Sequence, residues 1–389
     1  MFINIGKEEF EIERRGEYVD KSMLISFVNG RIGMPDKFLC VTRARRFGKS
    51  IAAKMLNAYY DESVDSRALF ADLKIAKEPS FEKHLNKYPV IYLDVSGFTG
   101  DLEADPKRVV NMMNHALSDD LIEIYHEVSI NKATPLHVQL KRVVDYTHKP
   151  FIMIIDEWDA VFREIKDETV KKKYVGWLRT LFKNAHTNKI FAGVYMTGIL
   201  PIKQYNTEST LNNFEEFTMT NPGDLGGYFG FTSAEVSALC KKYKMDQELI
   251  KQWYDGYLIG DVHEIYNPYA VMALTQIKEK RYAESLCEYV GEVVLVGVNY
   301  DKKTKKHACH IEQIEYEPHH PYAQLTTRQR KIVEWIKEHP KVSYEEMANA
   351  LGVSRPTIIM DSDILQELDI IQGEGKTRGK IWKVISDVL

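Results

Sequence analysis

Apolar residues in this chain cluster in short unbroken runs, and the stretches between them repeat at helical spacing. Before residue 200 the runs fall at 38–42 (FLCVT), 89–95 (PVIYLDV), 151–156 (FIMIID) and 190–197 (IFAGVYMT). Runs this short, without apolar–polar alternation, read as strands buried on both faces. Segments 50–60, 106–128, 136–148 and 168–186 carry helix spacing, and the N-terminal segment 1–35 predicts a helix over Lys21–Asn29. Strands alternating with long helices predict an α/β fold, a parallel sheet covered on both faces.

The pattern changes after residue 225. Residues 226–260 predict short helices, with a start signal at Thr232-Ser233-Ala234-Glu235, and read as a small helical lid. Residues 273–289 predict a helix. Residues 292–300 and 306–315 predict two strands around the turn Asp301-Lys302-Lys303-Thr304. The stretch 317–324 reads as a linker, and its His319 and His320 as linker residues rather than metal ligands.

Residues 325–389 form a further unit. LTTRQRKIVEWIKEHP predicts an amphipathic helix ended by Pro340. SYEEMANALGVSRPTIIMDSDILQELDII predicts a helix, a turn at Gly352 and a second helix over Ser354–Leu368, and GEGKTRGKIWKVI a two-stranded wing. This is similar to a winged helix-turn-helix, with Ala348-x3-Gly352-x-Ser354 as its signature. As a DNA reader it would use Ser354, Arg355 and Thr357 in the major groove and Lys376, Arg378 and Lys380 on flanking phosphates. Asp361, Asp363 and Glu367 lie on the same helix, where acids facing phosphate would oppose binding. A protein-binding or regulatory role is the alternative.

Composition narrows the classes. A length of 389 residues suggests two or three domains. The charge, 52 basic against 56 acidic residues, gives −4, so no overall polycationic character points to nucleic acid; basic residues cluster only locally, at 43–54, 302–306 and 376–380. Cys40, Cys240, Cys287 and Cys309 lack CxxC spacing, which suits a reducing compartment and indicates neither a disulfide framework nor zinc. No apolar run has membrane-spanning length, and MFINIGKEEF is not a signal peptide, so a cytoplasmic protein is expected.

The chemistry begins at FLCVTRARRFGKS, residues 38–50. A strand, a loop ending in Gly48-Lys49-Ser50 and then a helix is the arrangement that cradles phosphates. Backbone N–H groups of Arg45, Arg46, Phe47 and Gly48 would face the phosphates. Lys49 would place a charge on the β/γ oxygens, and the Ser50 hydroxyl would ligate Mg²⁺. Arg43 stands where such loops ordinarily have a glycine. Taken alone, the loop could equally be a basic turn before a surface helix. The second half-site is FIMIIDEWD, residues 151–159. Asp156 would hold the metal, and Glu157 would orient and deprotonate the attacking water. Taken alone it reads as a turn after a core strand; the two together, in this order, point to ATP or GTP. Thr197, at a later strand end, would sense the γ-phosphate or simply be a strand-end hydroxyl. Arg45 and Arg46 would brace phosphates or pair with N-terminal acids.

The first 270 residues resemble a prokaryotic AAA-ATPase-like family, often fused to a PD-(D/E)xK nuclease-like domain. The matching motifs are Tyr18-Val19-Asp20-Lys21-Ser22, Arg45-Arg46-Phe47-Gly48-Lys49-Ser50, Asp156-Glu157-Trp158-Asp159, Thr197-Gly198-Ile199-Leu200, Leu211-Asn212-Asn213-Phe214, Trp253-Tyr254-Asp255-Gly256-Tyr257 and Tyr266-Asn267-Pro268-Tyr269. The resemblance implies an ATP- and Mg²⁺-binding core over 1–225, a lid over 226–272, a remnant of the nuclease-like domain over 273–316 and an added winged helix over 325–389. It accounts for Arg43, since that family's Arg-Arg-x-Gly-Lys loop lacks the usual first glycine. It also implies that an arginine from a neighbouring subunit could complete the site, with Arg179 as a candidate. The nuclease core, an Asp followed by Glu-x-Lys, is missing between Met272 and Ala273, so no nuclease activity is expected. Residues 273–315 are then a structural bridge whose Leu274, Ile277, Val294, Val296 and Val298 must pack on neighbouring surfaces. Two functions follow: an ATP-hydrolysing protein that couples nucleotide state to the winged helix, or a nucleotide-gated DNA-binding switch with negligible turnover.

Overall fold

The computed structural model describes residues 1–99, 106–202, 211–243, 245, 247, 250, 257–259, 262–269, 271–272, 291–301, 306–316, 325–368, 370–374 and 381–385. The chain divides into two compact units, Met1–Thr275 and Gln276–Leu389.

In the first unit the four predicted strands form, with a short fifth, one parallel sheet. They are β1 (Phe38–Thr42), β2 (Val90–Asp94), β3 (Phe151–Asp156), β4 (Phe191–Gly198) and β5 (Glu215–Phe217). Their order is β2-β3-β4-β1-β5 and every pairing is parallel. Every residue of β1, β3 and β4 is buried, as the unbroken apolar runs required. Alternate side chains enter two cores. On one face Cys40, Leu93, Met153, Ile155 and Met196 pack under helices Val109–Ile124, Leu136–Thr147 and Glu168–Phe182. On the other, Leu39, Val41, Ile154 and Tyr195 pack against helices Met23–Asn29 and Lys49–Tyr60. A parallel sheet brings all strand C-terminal ends to one edge, where ligands of such folds bind. Thr42, Asp94, Asp156 and Gly198 end their strands there.

The lid region differs from expectation. Thr232 caps helix Ser233–Tyr243, accepting a hydrogen bond from Glu235 N–H, but the chain then forms an antiparallel ribbon, β6 (Tyr257–Ile259) with β7 (Val262–Ile265), rather than continuing as short helices. Two apolar segments around Gly260-Asp261 are a hairpin signal that outweighs the helical reading. Beyond the ribbon, Phe231 and Tyr266 exchange backbone hydrogen bonds of 2.7 and 2.9 Å. Gly230, at φ +83°, makes room for this closure: a Cβ there would lie 2.4 Å from Ile265 Cγ2.

In the second unit, β8 (Gly291–Asp301) and β9 (Lys306–Tyr316) form the expected antiparallel hairpin. The predicted helix 273–289 and the linker 317–324 lie outside the described residues. Helices Thr327–Glu338 and Tyr344–Leu351 each open with a reciprocal capping box, Thr326 with Gln329 and Ser343 with Glu346. Gly352, left-handed at φ +66°, ends the second helix, and helix Arg355–Glu367 follows. Strands β10 (Ile371–Glu374) and β11 (Ile381–Val384) form the wing, and Ile332, Ile336, Met347, Ile358, Leu365 and Trp382 share the core.

Candidate nucleotide site

The apolar β1 is pinned in the middle of the sheet, so the loop after it must reverse direction before helix Lys49–Tyr60. Gly48 takes the left-handed turn at φ +84°, which opens that helix, and Arg46 also lies in this region at φ +68°. Lys49 is buried, and its Nζ donates to the Ala44 carbonyl at 3.0 Å, inside its own loop. Burial pushes the Lys49 pKa down, against the pull of Glu157, Asp156 and Asp159.

Arg43 does something other than brace phosphate. It is fully buried, and its guanidinium donates to the carbonyls of Thr42 (2.9 Å), Phe217 (2.7 Å) and Leu225 (3.3 Å) over the ring of Phe229. Desolvation lowers its pKa to about 10. Its side chain therefore cross-links the end of β1 to β5 and the segment behind it. Arg45 and Arg46 are exposed at the mouth of the cleft, with Arg46 lying 3.9 Å over the ring of Tyr269; neither forms an ion pair among the described residues. Phe47 is buried against Tyr257, so only its backbone faces the loop interior.

The second half-site closes on the first. Asp156 is 3% exposed; it accepts from the Glu157 N–H at 3.0 Å and from the Ser50 and Tyr92 hydroxyls. Desolvation, reinforced by Asp94 and Glu157 and opposed by Ser50, raises its pKa to about 6. Asp94 is its register partner on β2. Glu157 has a left-handed backbone, φ +52°, and its carboxylate is bound by Arg163. Asp159 is fully buried and accepts the N–H groups of Ile199 and Leu200 at 3.0–3.2 Å and Arg163 Nε at 3.1 Å. Gly198 permits this: a Cβ there would lie 2.6 Å from Asp159 Oδ1 and from Trp158 Cδ1.

Lys49, Ser50, Asp156, Glu157, Arg45, Arg46 and Gly48 thus line one cleft of about 680 Å³, together with Asp94, Ser96, Arg163, Glu164 and Tyr269. A smaller, more apolar cavity of about 140 Å³, walled by Tyr18, Val19, Phe47, Tyr228 and Phe231, shares Gly48, Ile51, Pro268 and Met272 with it. Lys21 joins its walls, bonding Glu235 (2.6 Å) and the Gly227 carbonyl (2.8 Å). Thr197 lines neither cavity. Its hydroxyl is buried without a hydrogen-bond partner and its carbonyl accepts the Trp158 N–H, which favours the strand-end reading over phosphate sensing. Arg179 is exposed on its helix.

Four participants escaped the sequence reading. Asp94 was signalled by an acid ending the second strand run, and Arg163 by its i,i+4 spacing from Asp159. Asp159 itself carried only its place in the motif, and Ser96 carried no signal.

The donor set suits Mg²⁺, which takes few protein ligands and prefers phosphate and water oxygens. Among the described residues no cluster of three or more His, Cys, Asp or Glu side chains could hold a metal alone. Ser50 and Asp156, adjoining each other, could supply the protein ligands, and Asp156's raised pKa marks a carboxylate lacking a compensating cation.

Residues 4–207 match the model of a family described as predicted AAA-ATPase, just over half of the chain. The chain belongs to this predicted AAA-ATPase family. Residues 328–379 match an HTH domain model, so this AAA-ATPase-like chain joins a nucleotide-binding fold to a helix-turn-helix. No curated protein matches it. Among solved structures, Aeropyrum pernix ORC2 in its ADPNP–ADP complexes is 12% identical, over 98% of this chain and 90% of that one, with a TM-score of 0.33. Aeropyrum pernix ORC1 in complex with DNA is 11% identical, over 98% and 94%, with a TM-score of 0.35. At such low TM-scores these likenesses add nothing to the family match. No helix among the described residues is long and apolar enough to cross a membrane.

The predicted DNA-contacting residues divide. Ser354 and Arg355 are exposed, whereas Thr357 is half-buried with its hydroxyl 2.7 Å from that of Ser354. Lys376, Arg378 and Lys380 lie outside the described residues. Of the acids expected to oppose DNA, Asp361 is buried and paired with Arg328 and Gln329 of the first helix of this unit; only Asp363 and Glu367 are exposed.

Two predictions follow from this geometry. Arg43→Gly, which restores the usual loop residue, leaves three carbonyls unpaired and costs on the order of 3 kcal/mol or more. Urea unfolding of the variant reads this, and unchanged stability would contradict it. For Asp156, a folded-state pKa raised from 3.8 to about 6 means that stability is lost as pH rises through that window. Asp156→Asn removes the loss, a gain on the order of 3 kcal/mol at about pH 7.5 and much less at about pH 4. Calorimetric melting of the ligand-free protein at both pH values tests it, and an equal shift at the two would contradict it.

Proposed function

We propose that this chain binds ATP with Mg²⁺, hydrolyses it slowly, and couples its nucleotide state to the C-terminal winged helix. The observation that carries the reading is the convergence of Lys49, Ser50, Asp156 and Glu157 on one cleft. The adjoining apolar cavity supports it, because a nucleotide needs a polar end for phosphates and an apolar one for its base. In this reading the first 225 residues are the ATPase core, 226–272 the lid, 273–316 a bridge without nuclease activity, and 325–389 the responsive module.

Each side chain has one task. Lys49 leaves the Ala44 carbonyl for the β/γ oxygens, where its charge offsets that of the phosphates. Loop N–H groups at Gly48 and the helix start orient the same oxygens. Ser50 and Asp156 would hold Mg²⁺, which supplies neutralisation of phosphate charge when bound. Glu157 accepts the proton of the attacking water. The Arg163–Glu157 ion pair favours low basal turnover, and so keeps the switch-like alternative in view.

Lys49→Ala should abolish ATP binding in titration calorimetry; binding equal to that of the unaltered protein would remove the phosphate assignment. Glu157→Gln should bind ATP tightly while losing turnover by roughly 10²–10⁴-fold. A rate that is already negligible and does not change would favour the switch.

For the winged helix, Ser354 and Arg355 on an exposed helix start support duplex DNA as the partner. Affinity should fall as salt rises and should differ with and without ATP. Fluorescence titration of labelled duplex at two salt concentrations reads both, and no binding at the lower one would exclude a DNA partner.

A further inference from the structure

Arg163 is the one arginine in the cleft whose guanidinium is held almost wholly by carboxylates. Its Nε bonds Asp159 at 3.1 Å, Nη1 lies 3.7 Å from Glu164, and Nη2 binds Glu157. These partners differ in how firmly they are fixed. Asp159 is fully buried and tied to the Ile199 and Leu200 N–H groups. Glu157 is 23% exposed at its side chain and faces the cleft beside Lys49 and Ser50. One edge of the guanidinium is therefore anchored, and the other meets the residue assigned to activate water.

A guanidinium binds phosphate oxygens as well as it binds a carboxylate, with the same two-pronged geometry. A triphosphate entering this cleft brings its negative charge to the side on which Nη2 sits. We infer that Arg163 is a positioning residue acting within its own chain. In the empty site it holds Glu157 away from water. With a triphosphate bound, its Nη2 edge turns to the terminal phosphate while Nε stays on Asp159, which frees Glu157 to take the water's proton. A diphosphate lacks the terminal group and leaves the Glu157 pair closed. The site thus reads the third phosphate through an ion pair of its own, without an arginine from a neighbour. This rests on the nucleotide-binding reading above.

The test compares ATP and ADP affinities by calorimetry, alongside steady-state hydrolysis, for the full chain and its variants. The unaltered protein should bind ATP, and Lys49→Ala should not; failure there sinks the nucleotide reading and this inference together. Given that binding, Arg163→Ala should lower the ATP-to-ADP affinity ratio by about tenfold or more, leave ADP affinity within about twofold, and cut kcat by roughly 10²–10³-fold. Arg163→Lys, which keeps the charge but not the fork, should recover part of the ratio. If Arg163→Ala does not fold, Glu157→Gln carries the test: with no carboxylate to leave, the guanidinium should favour ATP over ADP several-fold more than in the unaltered protein. An unchanged ratio in either variant overturns the inference while leaving nucleotide binding intact. Mixing Arg163→Ala with Lys49→Ala chains should restore no hydrolysis, and restoration would place the arginine in trans.

Discussion

The site depends on one constraint: strands buried on both faces, running parallel, must all end at the same edge. β1 and β3 are separated in sequence by helices and by β2, yet β4 lies between them and fixes their spacing through two parallel ladders. That spacing sets Gly48-Lys49-Ser50, which follows β1, opposite Asp156, which ends β3. No interaction between the two motifs is needed to bring them together, because burial of the apolar runs already does so. The one direct tie, the Ser50 hydroxyl on Asp156, is between the two groups assigned to a shared cation.

Ionisable groups collect behind that edge in a way a purely structural design would avoid. Lys49, Asp156, Asp159 and Arg43 are all buried. Two of them are satisfied from within: Arg43 by three carbonyls, and Asp159 by two N–H groups and Arg163. The other two are not equally compensated. Lys49 leans on its own loop carbonyl, and the pKa of Asp156 rises toward neutrality. Desolvated charges without firm partners are costly in a folded chain and valuable at a binding site, since a ligand of the right charge recovers the deficit. The division within one cleft, satisfied Arg43 and Asp159 against under-compensated Lys49 and Asp156, separates the scaffold from the ligand-facing groups.

Much of this was legible in the residues and part of it could not be. Unbroken apolar runs marked four strands within a residue or so of their ends, and the two short motifs marked the groups facing the cleft. Arg43 was legible as an anomaly but not as a buried cross-link, because its partners are carbonyls at Phe217 and Leu225, far along the chain and without side-chain signature. The ribbon at 257–265 was lost under a helical reading of its surroundings although the residues alternate poorly for a helix. Arg163 carried only an i,i+4 relation to Asp159, the commonest pattern of a solvated helix pair. Its meaning comes from the left-handed backbone at Glu157, which turns that carboxylate back toward the same guanidinium, and backbone handedness at a non-glycine residue is invisible in sequence.

The winged helix shows the same limit from the opposite side. Reading three acids along Arg355–Glu367 suggests a helix repelled by phosphate. Burial redistributes them: Asp361 turns inward, and Arg328 and Gln329 neutralise and hydrogen-bond it, so it braces the first helix against the third. The exposed stripe that remains runs Pro356, Met360, Asp363, Glu367, with Met360 56% exposed. Its acids stand in the C-terminal half, while Ser354 and Arg355 stand at the start, where the helix dipole also favours an anion. Phosphate contact is thus feasible at the N-terminal end of this helix and opposed along its length. Such a gradient admits a helix that meets DNA end-on far more readily than one that lies along the groove.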